Sequence, residues 1–287
     1  MSQPSTELPE QPLPREEYIE QEYFFRVYRE RLEDGVPSQE ILKSLNEEVL
    51  ATAQLPLAID FMRAEILHTG RTSSAMERLP HYFSAYQTMV IMKAEDEVSR
   101  FEMPVALKVL EREARYRADG PSCAGLFLYQ FESLARNRLG YTAGLTAMAT
   151  DSSFSAPWQQ WIRSLRNDLG ANELPQLVFM ASEHLETRRR QRSRTLSADG
   201  DRPKALFGEQ EGRIARANIG REPLYFFAAL QRQLNYPQVP LSRKVQDERL
   251  PAFLEERLVK MEQRMKIVEM EQKGGIDLSK FYEKQGD

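Results

Sequence analysis

Residues 104–145 read PVALKVLEREARYRADGPSCAGLFLYQFESLARNRLGYTAGL, and this stretch decides the fold class. Apolar residues recur at Val105, Leu107, Val109, Leu110 and Ala114, then stop at Asp119-Gly120-Pro121-Ser122. They resume at Leu126, Phe127, Phe131, Leu134 and Leu139. A return every third or fourth position is the period of a helix that buries one stripe. Gly120 suits the left-handed residue just past a helix end, where a Cβ is unfavourable. Pro121 cannot continue a helix, and the Ser122 hydroxyl can cap the next one. The stretch therefore predicts a helical hairpin.

The same grammar extends upstream. Residues 1–14, with four prolines and no periodicity, read as a disordered leader. A helix over 15–33 carries Tyr18, Tyr23, Phe24, Phe25 and Tyr28, rings that cover more than one stripe and are expected to bury on two sides. Asp34-Gly35-Val36-Pro37-Ser38 stops that helix and restarts the chain. A second helix over 39–54 places Ile41, Leu42, Leu45, Val49 and Leu50 on one face, and a third runs over 57–68. Ser74 and Glu77 have capping-box spacing. Pro80 then fits the first turn of a long helix to about Phe101, with Phe83, Tyr86, Val90 and Ala94 in its stripe and Glu97 interrupting it.

Downstream of the hairpin, helices are expected over 141–149, 157–169 (Trp158, Trp161, Ile162, Leu165) and 174–190. Alternating apolar residues never persist with β-branched enrichment, so no strand is expected. Residues 191–220 lose the periodicity and read as a basic linker, or an ordered arm lying over the body. A short helix with Leu224, Tyr225, Phe226, Phe227, Leu230 and Leu234 ends before Pro237 and Pro240.

Near the C-terminus, Leu254, Leu258, Met261, Met265 and Val268 are spaced 4-3-4-3, a heptad seam. With Leu258 and Met265 at a positions, Arg257 and Arg264 fall at g and Glu255, Glu262 and Glu269 at e. In a parallel pair Arg257 meets Glu262 of the second helix, and Arg264 meets Glu269. Self-association through a coiled-coil-like helix in 241–273 is therefore expected, although Val259, Ile267 and Met270 lie off the seam. Gly274-Gly275 then precedes a flexible tail, 274–287, holding Ile276, Leu278, Phe281 and Tyr282.

Bulk properties exclude several classes. The chain has 287 residues, 41% of them hydrophobic and 29% charged, as in globular proteins generally. Its longest apolar runs, such as 88–92 and 125–129, fall short of the ~20 residues that span a bilayer. The opening MSQPSTELPEQPLP has no basic start and no apolar core, so no secretory signal is expected. One cysteine, Cys123, excludes an internal disulfide framework and fits a reducing, cytoplasmic setting. The net charge of −4 hides a split. Residues 1–50 carry twelve acidic and five basic side chains, whereas residues 188–221 carry ten basic and four acidic ones. An acidic part facing the chain's own basic segment is the simplest source of such a split.

Motifs that fix a reaction are missing from the sequence: it has no Gly-rich phosphate loop, Cys-x-x-Cys, Gly-x-Ser-x-Gly or His-Glu-x-x-His. Glu65 and His68 have the Glu-x-x-His spacing of a carboxylate-bridged metal site. Neither His81 nor His184 has a glutamate three residues before it, so the second half of such a site is absent, and no cofactor is expected. His68 reads better as a cation at a helix C-terminus. Glu183, His184 and Glu186 could support proton transfer, with nothing marking a pocket around them. Cys123 lies at a helix start, where the dipole favours a thiolate, but packing is the simpler role. Arg188, Arg189, Arg190, Arg192 and Arg194 fill five of seven positions and could contact a polyanion. No aromatic residue is interleaved to stack bases, so nucleic acid is not the expected partner.

Within 104–145, Ala106-Leu107-Lys108-Val109-Leu110 resembles the second helix of a tetratricopeptide repeat, and Leu139-Gly140-Tyr141 is similar to its Gly–Tyr turn, with the two residues adjacent instead of one apart. The resemblance implies a helical-hairpin solenoid, although no 34-residue period carries across the chain. The expected fold is all-α: an irregular helical-hairpin solenoid or multi-helix bundle over 15–190, a basic arm over 191–220, an apolar helix in 221–240 and the coiled-coil-like helix. The expected function is that of a non-catalytic, cytosolic scaffold binding other proteins, with a metal-dependent helical enzyme at Glu65/His68 or a nucleic-acid accessory protein at Arg188–Arg194 as alternatives.

Overall fold

The computed structural model describes residues 13–96, 98–99, 101–192 and 205–242, and these are all-α. The expected leader, apart from Leu13 and Pro14, lies outside the described residues. So do Glu97, Arg194, nearly all of the coiled-coil segment with its five seam residues and five flanking charges, and the tail. Among the described residues there are no strands, only two isolated bridges, and no helix is long and apolar enough to cross a membrane.

Helix α1 (Arg15–Glu33) begins after Pro14. Tyr18, Phe24, Phe25 and Tyr28 are buried and Tyr23 only partly. The rings serve two fronts because α1 touches α2 (Ser38–Glu48) and α3 (Leu55–Thr69) near in sequence, and lies along α6 (Met103–Ala118) far from it. Arg29 Nε reaches Glu111 on α6 at 3.3 Å. Phe24 and Phe25 meet Phe83 at 6.4 and 6.3 Å between ring centroids.

Local signals set most element ends. At the deciding hairpin, Asp119 ends α6 and Gly120 takes φ +72°. The Ser122 hydroxyl then accepts the Gly125 N–H at 3.1 Å and opens α7 (Cys123–Asn137). Gly125 also lets two helices approach: a Cβ there would stand 2.1 Å from the Tyr116 hydroxyl of α6.

Several expected elements differ, among them the helix expected over 39–54, which stops at Glu48 and leaves Leu50 58% exposed. The capping box is not at Ser74 and Glu77, because Ser74 lies inside α4 (Thr72–Glu77). It is at Ser84 and Gln87: Ser84 Oγ accepts the Gln87 N–H at 3.2 Å, and Gln87 Oε1 accepts the Ser84 N–H at 3.1 Å. The turn before it is drawn inward by buried Leu79, Tyr82 and Phe83, so Pro80 sits in a turn and α5 (Ala85–Glu95) starts after it. The long helix to Phe101 also stops early, at Glu95. Its carboxylate accepts the Thr72 N–H at 2.5 Å and the Ser73 N–H at 3.2 Å, filling the role a missing N-cap leaves open at α4.

After α8 (Tyr141–Met148) and α9 (Ala156–Asp168), the helix expected over 174–190 is two helices, α10 (Leu174–Met180) and α11 (Glu183–Arg192). The break has a tertiary cause. Residues 205–207 run beside it, the Leu206 N–H donating to Ala181 O at 2.9 Å and the Glu183 N–H to Phe207 O at 2.9 Å. Within the stretch 191–220, residues 209–217 form α12 (Glu209–Ala217), which packs on α10 and α11. Gly212 makes that approach possible, since a Cβ there would lie 2.3 Å from Ser182 Oγ. Helix α13 (Pro223–Leu234) lays Phe226, Phe227 and Leu230 on α7, with Tyr225 turned outward at 64% exposure. The chain then passes under α7, where Asn137 Nδ2 donates to Pro240 O and Asn137 Oδ1 accepts the Ser242 N–H. All the described residues lie in one compact unit.

Candidate functional site

A wide concavity follows from the break at Ala181–Ser182. Helix α9 turns Trp158, Ile162 and Leu165 inward and leaves Trp161 half-buried. Helix α10 is pinned by Leu177 and Val178, and α11 starts only after the bridge between Ser182 and Phe207. A groove of about 670 Å³ opens between these helices and the 205–206 segment. Its floor is apolar: Trp161, Leu177, Met180, Leu185 and Leu206. Its rim carries Asp168, Glu186 and Arg189. The floor rests on an edge-to-face aromatic cluster, with Phe207 at 5.0 Å from Trp158, 5.2 Å from Trp161 and 6.2 Å from Phe127. Arg189 and its neighbour Arg190 are exposed and pair with no carboxylate among the described residues.

A second constellation is buried. Arg117 on α6 lies between two carboxylates, its Nη2 3.0 Å from Glu113 Oε1 and hydrogen-bonded to Asp151 Oδ2. Its Nη1 donates to Ser153 Oγ at 2.6 Å. Gln130 on α7 adds a 2.6 Å bond from Nε2 to Glu113 Oε1. Burial pushes the Asp151 carboxyl up, but attraction to Arg117 and hydrogen bonds from Arg117 and Ser153 outweigh it and hold Asp151 below its ordinary value. Burial likewise penalises charged Arg117, and the pull of Asp151 and Glu113 overcomes that penalty. The arrangement clamps α6 to α7 and to the turn after α8. Arg117 and Asp151 also line a cavity of about 170 Å³ beside Tyr18, Tyr82 and Thr150.

The residues singled out from the sequence are scattered. Glu65 is bound by Arg78, Nη1 to Oε2 at 2.5 Å, and His68 is exposed at the end of α3. Among the described residues no group of three His, Cys, Asp or Glu side chains could hold a metal ion. His184 does not meet Glu183 or Glu186 in a dyad. Its Nδ1 lies 2.7 Å from Glu209 Oε1 across α11 and α12, and that bond lowers the Glu209 pKa. Cys123 begins α7 with its Sγ 3.6 Å from Ser153 O, and burial pushes the thiol up, against an activated thiolate. Arg188, Arg189 and Arg190 lie on α11 and Arg192 ends it.

Sequence reasoning missed the groove because its walls need the 205–207 segment, some twenty-five residues away in sequence from α10. It also missed Glu113 and Arg117, for which a signal exists: with Ala106 and Leu110 they are spaced 4-3-4, so two charges occupy the stripe that faces the core.

No protein family, no curated protein and no solved structure matches this chain.

Proposed function

We propose that this protein is a non-catalytic helical scaffold that receives a segment of another protein in the groove between α9, α10 and α11. The observation supporting this reading is the groove itself: an open, largely apolar floor on an edge-to-face aromatic cluster, rimmed by charges of both signs. That is the chemistry of helix-in-groove recognition, where an amphipathic segment lays its apolar face on such a floor. The segment is taken to carry bulky apolar anchors for Trp161 and Leu185, with acidic residues at the end that meets Arg189 and Arg190. In keeping with an irregular array of tetratricopeptide-like hairpins, successive helices from α2 to α9 touch their neighbours. The added contact of α1 on α6 makes the body more closed than a one-dimensional stack. Self-association through Leu254–Val268 and a cytoplasmic setting belong to the same reading.

The probe is a synthetic amphipathic helical peptide with leucine anchors and a glutamate-rich end, titrated while Trp161 fluorescence and peptide anisotropy are followed. Saturable binding is expected, reduced at least tenfold by Met180→Glu or Leu185→Glu, positions at the groove surface outside the packed core. Equal binding by both variants, or preference for a lysine-ended peptide, contradicts the reading. Tighter binding of a short single-stranded oligonucleotide, lost in Arg189→Ala/Arg190→Ala, would favour a nucleic-acid accessory role instead.

A further inference from the structure

The buried centre on α6 holds polar atoms that the protein does not satisfy. Tyr86 Oη, Glu113 Oε2, Arg117 Nε and Gln130 Oε1 are buried with no hydrogen-bond partner among the described residues. Glu113, Arg117 and Gln130 are joined at one carboxylate, and Tyr86 on α5 lies within reach of its charge. Glu113 Oε1 already takes bonds from Arg117 Nη2 and Gln130 Nε2, and the Tyr86 hydroxyl lies within the field of Glu113 and Arg117 and near the Ser133 hydroxyl. Leaving such groups unpaired is costly, more so where charge is involved.

Their chemistry specifies the guest. Glu113 Oε2 only accepts, and Gln130 Oε1 only accepts, because the bond from Gln130 Nε2 to Glu113 fixes the amide orientation. Arg117 Nε only donates, and the Tyr86 hydroxyl does either. Two acceptors and two available donors fit a molecule with two hydrogens and two lone pairs. A cation there would meet the guanidinium of Arg117, and an anion would meet the carboxylate of Glu113. We infer that the junction of α5, α6 and α7 is a binding site for one ordered water molecule. It donates to Glu113 Oε2 and Gln130 Oε1 and accepts from Arg117 Nε and Tyr86 Oη. Buried waters of this kind satisfy otherwise unpaired groups and behave as part of the structure. This one ties α5, which contributes only Tyr86 to the centre, to the clamp on α6 and α7.

Two measurements on the full chain test the site. In oxygen-17 magnetic relaxation dispersion, Gln130→Met should reduce the long-lived signal by the equivalent of one water, and Tyr86→Phe should shorten that water's residence time several-fold. An unchanged signal in both variants overturns the proposal. A crystal structure of the unmodified chain gives a readout independent of how the variants fold. Density within hydrogen-bond reach of Glu113 Oε2 and Gln130 Oε1, without an anomalous peak after thallium soaking, supports the water. A direct Glu113–Gln130 or Glu113–Tyr86 bond through a protonated carboxyl, or a thallium peak at the centre, overturns it.

Discussion

The Leu206 N–H donates to the carbonyl oxygen of Ala181 at 2.9 Å, and this bond lies where one expected helix becomes two. A carbonyl in an unbroken helix would receive the N–H four residues on; here the Ala181 carbonyl also takes the Phe207 N–H at 3.2 Å. The groove exists because of that exchange. Phe207, 1% exposed, is the anchor that holds the segment down.

Phe207→Ala should therefore cost about 3–5 kcal/mol, the range for truncating a buried aromatic. It should also release the wall formed by Leu206. Urea unfolding followed by tryptophan fluorescence checks the first effect, and loss of peptide binding in the still-folded fraction checks the second. A loss under about 1 kcal/mol would mean that the segment is not held by its ring.

The Arg117–Asp151 pair makes a prediction about pH. Asp151 has a folded pKa below its ordinary value of 3.8. Its contribution to stability is thus fully present above the unfolded value and is lost as pH falls through the folded one. Asp151→Asn should remove that acid-side dependence. It should also destabilise the fold by about 3–5 kcal/mol at neutral pH, since Arg117 is left buried without a carboxylate on that side. Unfolding midpoints across pH 2–7 (roughly the carboxylate range) for both proteins check it; parallel curves would contradict the assignment.

The capping assignment separates two serines of similar sequence context. Ser84→Ala removes the acceptor for the Gln87 N–H and should cost about 1 kcal/mol. Ser74→Ala, inside α4, should change stability by about 0.5 kcal/mol or less. Equal effects in chemical denaturation would return the cap to Ser74.

The heptad seam predicts that the double substitution Met261→Glu/Met265→Glu in the full chain lowers the mass found by light scattering, because two charges enter each seam. An unchanged mass would remove self-association through this segment from the account.

What was legible in the sequence was local. Gly120 and Ser122 announce the central turn, and both do what their chemistry suggests, because a left-handed residue and a hydroxyl cap need only their neighbours. The span of α1 was equally clear, its start at Arg15 and its end at Glu33 agreeing with the apolar pattern. Illegible features depend on partners far along the chain. Glu95 ends its own helix while capping α4, more than twenty residues earlier, and Ser182 breaks a helix because Phe207 and Gly212 press against it. For the buried centre the clue was present and unused: a charge at an inward position, as at Glu113, needs a partner, and Arg117 four residues on supplies it.

The most direct test of the central claim is amide hydrogen exchange followed by mass spectrometry, on the full chain with and without the glutamate-ended amphipathic peptide. Added protection over 156–168 and 174–192, with α1 and α6 unchanged, is the predicted result. Protection that falls elsewhere, or none at saturating peptide, would contradict the assignment of the groove as the docking site.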